Sequence, residues 1–398
     1  MFTYIIIMIG ITTLILLTAV SVHSFRMKMM LNPYTTAPFA MPKSSGPPEI
    51  PPISPFSSES KLNPNWYVVG QADSIQVDKP YKVTLLNSPI AIWKNKHNEY
   101  GAIGDVCPHR GASMSCGRVE KSLNALVCPY HTFKYNKHGQ LIQIPGQNSV
   151  RTGTNFNFKT DVPHYAIVEK DGWVHLLNKP LYDLNELRFL NDPDSIWTEP
   201  ESLDPAFKCV YLSKKFNQDS RTVTENSLDI LHISEVHTFG NKQKPLPLSD
   251  KIEKIADGHW KACYTYEAGT DSYASKLFNI KTLEVENEYI LPHTTVARVK
   301  FGAFTNTIIT SASPISTTET ILYVKAHRNN WVFGFPPLDF LFDKVTQNMM
   351  EKTLREDKGV IDTIYPEFRD GNFITKYDEL VRKYREDYAT MVENSFLK

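Results

Sequence analysis

The chain has 398 residues, 43 basic and 43 acidic, so its formal net charge is zero. That length predicts about two domains plus appendages, and the balanced charge excludes the basic stripe of a nucleic-acid binder. Five cysteines make no disulfide framework, which argues against a mature secreted protein, and no glycine-rich phosphate motif follows a strand, which excludes a built-in nicotinamide or flavin domain.

Residues 4–22, YIIIMIGITTLILLTAVSV, form an uncharged run of nineteen, just long enough to span a bilayer. Three readings fit residues 1–24: a cleaved signal, a membrane anchor with Arg26 and Lys28 on the cytoplasmic side, or the first half of a two-part address. Residues 25–48 carry Arg26, Lys28 and Lys43, several Ser and Thr, and no Asp or Glu, which is transit-peptide composition. Such a pairing resembles the plastid presequence of algae with secondary plastids. The plastid address is preferred, with the anchor as its alternative. Eight prolines between residues 33 and 55 make the rest of the 25–62 segment an extended spacer.

The folded part is expected to begin near Asn63. Residues 63–178 read as short β-runs separated by Asn, Gly and Pro, among them PYKVTLLNSPIAIWKN and ALVCPYHTFKYNKHGQL. His97 and His138 fall in polar turns and read as surface histidines. Within this stretch Cys107 and His109 are separated by one residue, and Cys128 and His131 by two. Zinc fingers pair cysteine with cysteine and histidine with histidine, whereas here each arm carries one of each. That arrangement suits a [2Fe–2S] cluster with one iron on two thiolates and the other on two imidazoles.

C-x-H followed by C-x2-H resembles the Rieske domain. Respiratory Rieske domains carry an extra cysteine in each cluster loop. Here CPHRGAS and CPYHTF have none, and Cys116 has no evident partner, so the stretch looks like the Rieske domain of oxygenases.

Residues 222–241 contain Asn226, Asp229, His232 and His237, an N-x2-D-x2-H-x4-H pattern. At 3.6 residues per turn the first three fall along one helix face, while His237 lies about 140° from His232, so the helix must end or distort between them. Two imidazoles converging from such a bend make two corners of a facial iron site that needs one carboxylate more. Farther on, HWKACYTYEAG, KTLEVENEYIL, TVARVKFGAFTNTIITSASP and ETILYVKAHRN alternate like strands, and the last ~60 residues carry a helical period. The aromatics of WVFGFPPLDFLF, residues 331–342, read as core packing, with a membrane contact or a pocket wall as alternatives.

Together these features resemble the Rieske non-heme iron oxygenases over residues 65–363. The resemblance implies an α+β chain with an all-β Rieske domain at 63–178. A helix-grip (START-like) catalytic domain with a twisted antiparallel sheet would follow at 179–398. It implies a [2Fe–2S] cluster on Cys107, His109, Cys128 and His131, and a mononuclear Fe(II) on His232, His237 and a late carboxylate. That carboxylate is often the Asp of an E-D pair, which Asp357 matches, leaving Glu356 and Asp362 as solvated helix charges. In the family a homotrimer brings the cluster of one subunit to the iron of its neighbour through an acidic bridge, a place that Asp229 matches. Asp229 and Asn226 are therefore the candidate catalytic side chains. The implied partners are a ferredoxin or flavin reductase, dioxygen and a small apolar substrate that is hydroxylated, demethylated or desaturated. The plastid address suggests a pigment. The rival is an electron carrier or membrane scaffold that keeps only the cluster.

Overall fold

The computed structural model describes residues 64–147, 156–182, 193–237, 241–268 and 280–396. The apolar run at 4–22 and the proline-rich spacer lie outside them. No described helix is long and apolar enough to cross a membrane.

The first ten strands are short. They are β1 (Trp66–Gln71), β2 (Tyr81–Leu85), β3 (Ser88–Lys94), β4 (Tyr100–Gly104), β5 (Arg118–Glu120), β6 (Ala125–Val127), β7 (Lys134–Tyr135), β8 (Leu141–Gln143), β9 (Ile167–Lys170) and β10 (Trp173–Leu177). They form three sheets, ordered β1-β10-β9, β2-β3-β4 and β5-β6-β7-β8. Asp171 and Gly172 both have positive φ and close the β9–β10 hairpin with the turn that right-twisted strands favour. Leu86 and Asn87 do the same between β2 and β3, although leucine is a poor left-handed residue. The amides of that tip donate to the carbonyls of Pro314 and Ile315 at 3.0 and 2.7 Å, so the turn is held by the second half of the molecule.

That half is built on one seven-stranded antiparallel sheet. Its strands are β11 (Lys208–Phe216), β12 (Ser249–Ala256), β13 (His259–Glu267), β14 (Thr282–Ile290), β15 (Thr294–Phe301), β16 (Phe304–Ser316) and β17 (Glu319–Arg328), in the order β11-β17-β16-β15-β14-β13-β12. Among the described residues there are four α-helices: α1 (Ser220–Leu228), α2 (Ile233–Val236), α3 (Pro336–Ile361) and α4 (Glu379–Phe396). One sheet face packs under α1, α3 and α4, burying Val324, Leu322, Tyr264 and Tyr289 against Val223, Leu354, Leu380 and Tyr384. The other face meets β1 and β10 through Val296, Ile309, Val68 and Trp173. Toward β12 that second face carries the charged Lys251, Glu286 and Lys300 instead, so the apolar alternation is clearer there than over the strands covered on both sides.

Three expectations need correction. The helix expected to run through His232 stops at Leu228, and Asp229 is extended, with φ −71° and ψ 121°. The cause is local: the Asp229 carboxylate accepts the Leu231 amide at 2.8 Å, a turn that competes with the helical ladder. The aromatics of 331–342 are not core, since Phe333, Phe335 and Phe340 are each more than half exposed. His138 is not a surface residue, because its Nδ1 is buried and burial lowers its pKa.

Candidate functional site

Cys107 and Cys128 each open a loop of the same construction. The Cys107 amide donates to the Ala112 carbonyl at 2.9 Å, and its carbonyl accepts the Gly111 amide at 2.8 Å. In the second loop the Cys128 amide donates to the Phe133 carbonyl at 2.9 Å, and its carbonyl accepts the Thr132 amide at 3.1 Å. The fifth residue is left-handed in both, with φ +72° at Gly111 and +57° at Thr132. Two different Cys–His spacings are thus carried on two equivalent turns.

Both thiols are buried, and each loop presents its histidine toward the surface. The two imidazoles meet with their Nδ1 atoms 3.1 Å apart, and Phe133 stacks on His109 at a centroid distance of 4.7 Å. Burial raises the Cys128 thiol above its ordinary range against the pull of the Tyr130 and His131 amides, and the neighbouring Cys107 adds to the rise. The Tyr135 hydroxyl reaches Cys107 Sγ at 3.5 Å. Asp105, fully buried behind the loop, accepts from the Ser113 hydroxyl and the Ser115 amide, both at 2.6 Å. Two dry sulfurs and two converging outer nitrogens fit the donor set of a cluster bound by two thiolates and two imidazoles. Cys116 is exposed and unpaired.

The second constellation lies where the α1–α2 connection meets α3. His232 begins the short α2 and His237 ends it, which turns both rings toward Asp357 on α3. His232 Nε2 is 3.5 Å and His237 Nε2 3.4 Å from the same atom, Asp357 Oδ1. One ligand atom from each of the three lies within 4.8 Å of the others. Asp357 Oδ1 is buried and makes no hydrogen bond. A dry, unbonded carboxylate oxygen between two imidazole nitrogens is costly by itself and fits a cation held by all three.

Behind the triad, His232 Nδ1 faces Asp229 Oδ2 at 3.5 Å and His237 Nδ1 faces Glu356 Oε2 at 3.2 Å. Burial opposes protonation of His232, but Asp229 and Asp357 outweigh it and raise its pKa to about 9. Glu356 is therefore no solvated helix charge. Nor is Asp362, which accepts the Asn217 backbone amide at 2.9 Å and its side-chain amide at 3.0 Å. Asn226 lies in the last turn of α1 and is not among the side chains that meet Asp357.

Along one row of the helix-covered sheet face Ala262, Asn287, Ala297, Ile308 and Ala326 pair in register across β13 to β17, three of them alanine. On that face the hydroxyls of Tyr264 and Tyr266 and Asn287 Oδ1 are buried without hydrogen-bond partners. Strand alternation alone could have placed these residues on one face, but nothing in the sequence says that their polar atoms go unmatched.

Residues 65–157 match the family model described as the Rieske [2Fe–2S] domain. The chain is 25% identical over 208 residues to the oxygenase component of dicamba O-demethylase from Stenotrophomonas maltophilia, covering 52% of this chain and 57% of that one. It is 28% identical over 211 residues to the chloroplastic pheophorbide a oxygenase of Oryza sativa subsp. japonica, covering 49% of this chain and 37% of that one. The chain thus spans about half the length of the relatives it matches. A crystal structure of dicamba monooxygenase bound to dicamba superposes with a TM-score of 0.70 over 84% of this chain and 98% of that one, at 19% identity. The fold is therefore a Rieske domain followed by the sheet-rich domain of such oxygenase components. Residues 65–157 thus carry a Rieske [2Fe–2S] domain, and the chain as a whole is similar in fold to the oxygenase components of Rieske type.

Proposed function

We propose that this chain is an oxygenase component that accepts single electrons from a ferredoxin or flavin reductase. With dioxygen it would hydroxylate, demethylate or desaturate a small apolar substrate. The observation that carries this reading is the unbonded, buried Asp357 Oδ1 between the Nε2 atoms of His232 and His237, in a chain that also has a Rieske domain. When bound, the cluster supplies single electrons and a mononuclear iron(II) supplies the activation of dioxygen.

Cys107 and Cys128 would hold one cluster iron in the dry interior, with His109 and His131 on the iron nearer the surface. His232, His237 and Asp357 would hold the mononuclear iron and leave its other positions to dioxygen and substrate. We assign Asp229 the link between a cluster histidine of one subunit and His232 of the next, which makes a homotrimer the active unit. Tyr264, Tyr266 and Asn287 would hydrogen-bond an uncharged substrate and fix its orientation, because buried polar atoms without partners reward a ligand that satisfies them. A plastid pigment is our candidate substrate, supported by the transit-like N-terminal composition and by similarity to a chloroplastic pheophorbide a oxygenase. Membrane attachment through residues 4–22 is the alternative reading of that segment.

Metal analysis tests the reading directly. About three irons per chain are expected, two in the cluster and one at the triad. Asp357→Ala should lose one and all product from an algal extract under labelled dioxygen, with the cluster spectrum intact. About two irons in the unaltered chain would support the carrier instead.

A further inference from the structure

The geometry points to Glu356 as a positioning residue for the candidate metal centre: it accepts the Nδ1–H of His237 and so keeps the ring proton off Nε2, the nitrogen that faces Asp357. This inference rests on reading the triad as an iron site.

A neutral imidazole binds metal through the nitrogen that carries no proton, so a ligand histidine must have its proton fixed on the other one. His237 meets Asp357 Oδ1 with Nε2 at 3.4 Å and Glu356 Oε2 with Nδ1 at 3.2 Å, so two consecutive helix residues bracket one ring. Successive side chains on a helix diverge by about 100°, so they cannot both point at the same atom. The shorter aspartate sits on the Nε2 side, and the longer glutamate reaches round to Nδ1. Lys352, one turn earlier, lies 3.9 Å from the other oxygen of Glu356.

His232 has the same arrangement, with Asp229 behind its Nδ1. The two carboxylates differ in setting. Asp229 is 39% exposed and 3.5 Å from its ring, whereas Glu356 is 19% exposed and 0.3 Å closer. His237 itself is only 4% exposed. A hydrogen bond shielded from water holds its geometry better than a wet one, so Glu356 should bear more of the metal affinity than Asp229. Asp229 is then free to act at the surface.

The test is cobalt(II) binding to the purified protein after removal of the mononuclear metal, read by d–d absorption, which needs no turnover. Glu356→Leu is expected to weaken cobalt binding roughly 10–100-fold and to alter the spectrum as His237 loses its fixed ring position. Glu356→Gln keeps an acceptor oxygen at nearly the same size, and should recover most of the affinity and the original spectrum. Glu351→Leu, exposed on the same helix, should match the unaltered chain. Cobalt affinity and spectrum unchanged in Glu356→Leu would overturn the role of Glu356 while leaving the triad standing. So would Glu356→Gln failing alongside Glu356→Leu, since the effect would then be one of charge. If the unaltered chain binds cobalt no better than Asp357→Ala does, the triad reading falls and the inference with it.

Discussion

In each cluster loop a cysteine opens a six-residue turn whose fifth residue is left-handed, and the two loops meet this demand differently. Gly111 adopts φ +72° without strain, and a side chain built there would meet nothing within 4 Å. Gly111→Val therefore isolates the backbone cost, about 1–2 kcal/mol. Thr132 already bears a cost of that kind at φ +57°, so Thr132→Gly should lose little or no stability. Thermal melts followed at the cluster absorption would separate the two; equal losses would mean that the turn geometry is not the constraint. The thiols divide as sharply. Cys128→Ser should abolish the visible absorption of the cluster, because a hydroxyl replaces thiolate poorly, whereas the exposed Cys116→Ser should leave it unchanged. An essential Cys116 would reassign the ligands.

At the scale of elements, what the sequence disclosed depended on how local the cause was. The strands of the large sheet were legible because side-chain alternation is a property of each strand alone. Cys107, His109, Cys128 and His131 stood out because loop ligands sit close together in sequence. The end of α1 was not legible: a single contact, Asp229 to the Leu231 amide, stops a helix whose residues would otherwise continue it. The role of Glu356 was hidden for another reason, since its partner His237 lies 119 residues earlier. The aromatics before and within α3 show the limit of composition, because a Phe-rich segment looks the same whether it faces core or solvent. Exposure makes a prediction here. Phe340→Ser, on a side chain 62% exposed, should change stability by less than about 0.5 kcal/mol. Phe216→Ala, at a fully buried site against Leu322, Val324 and Leu354, should cost about 3–5 kcal/mol. Urea unfolding midpoints would measure both, and a large loss at Phe340 would mean that the exposed face is covered in solution.

Over the whole molecule, both halves and the seam between them keep a histidine uncharged. Burial lowers His164 to about 4 in the Rieske half, and His293 to about 3 beneath α1 and α4. At the seam His175 lies at about 3, through burial first and the Lys325 ammonium second. Lys325 is itself buried, 2.7 Å from Glu199 and stacked over Trp173 at 4.3 Å, so protonating His175 would bring a second cation close to the first in a dry place. Each histidine titrates near 6.5 when unfolded, so between that value and 3 to 4 the unfolded chain binds more protons, and folding stability falls with falling pH. Glu199, held at about 2 by its His327 and Lys325 contacts against its own burial, begins to lose its contribution as pH falls into the ordinary carboxylate range and has lost it below about 2. The interval from pH 6.5 down to 5 therefore reports mainly these three histidines, against a small opposite contribution from His232, which the folded chain already holds protonated there. Melting temperatures from near-ultraviolet circular dichroism should decline across it, with cluster absorption recorded alongside to separate unfolding from cluster loss. His175→Gln removes one titrating group and should give a shallower decline, even if the variant starts lower at pH 7. Parallel curves for the two proteins would mean that His175 is not kept neutral by the fold, and that the packing at the seam admits water.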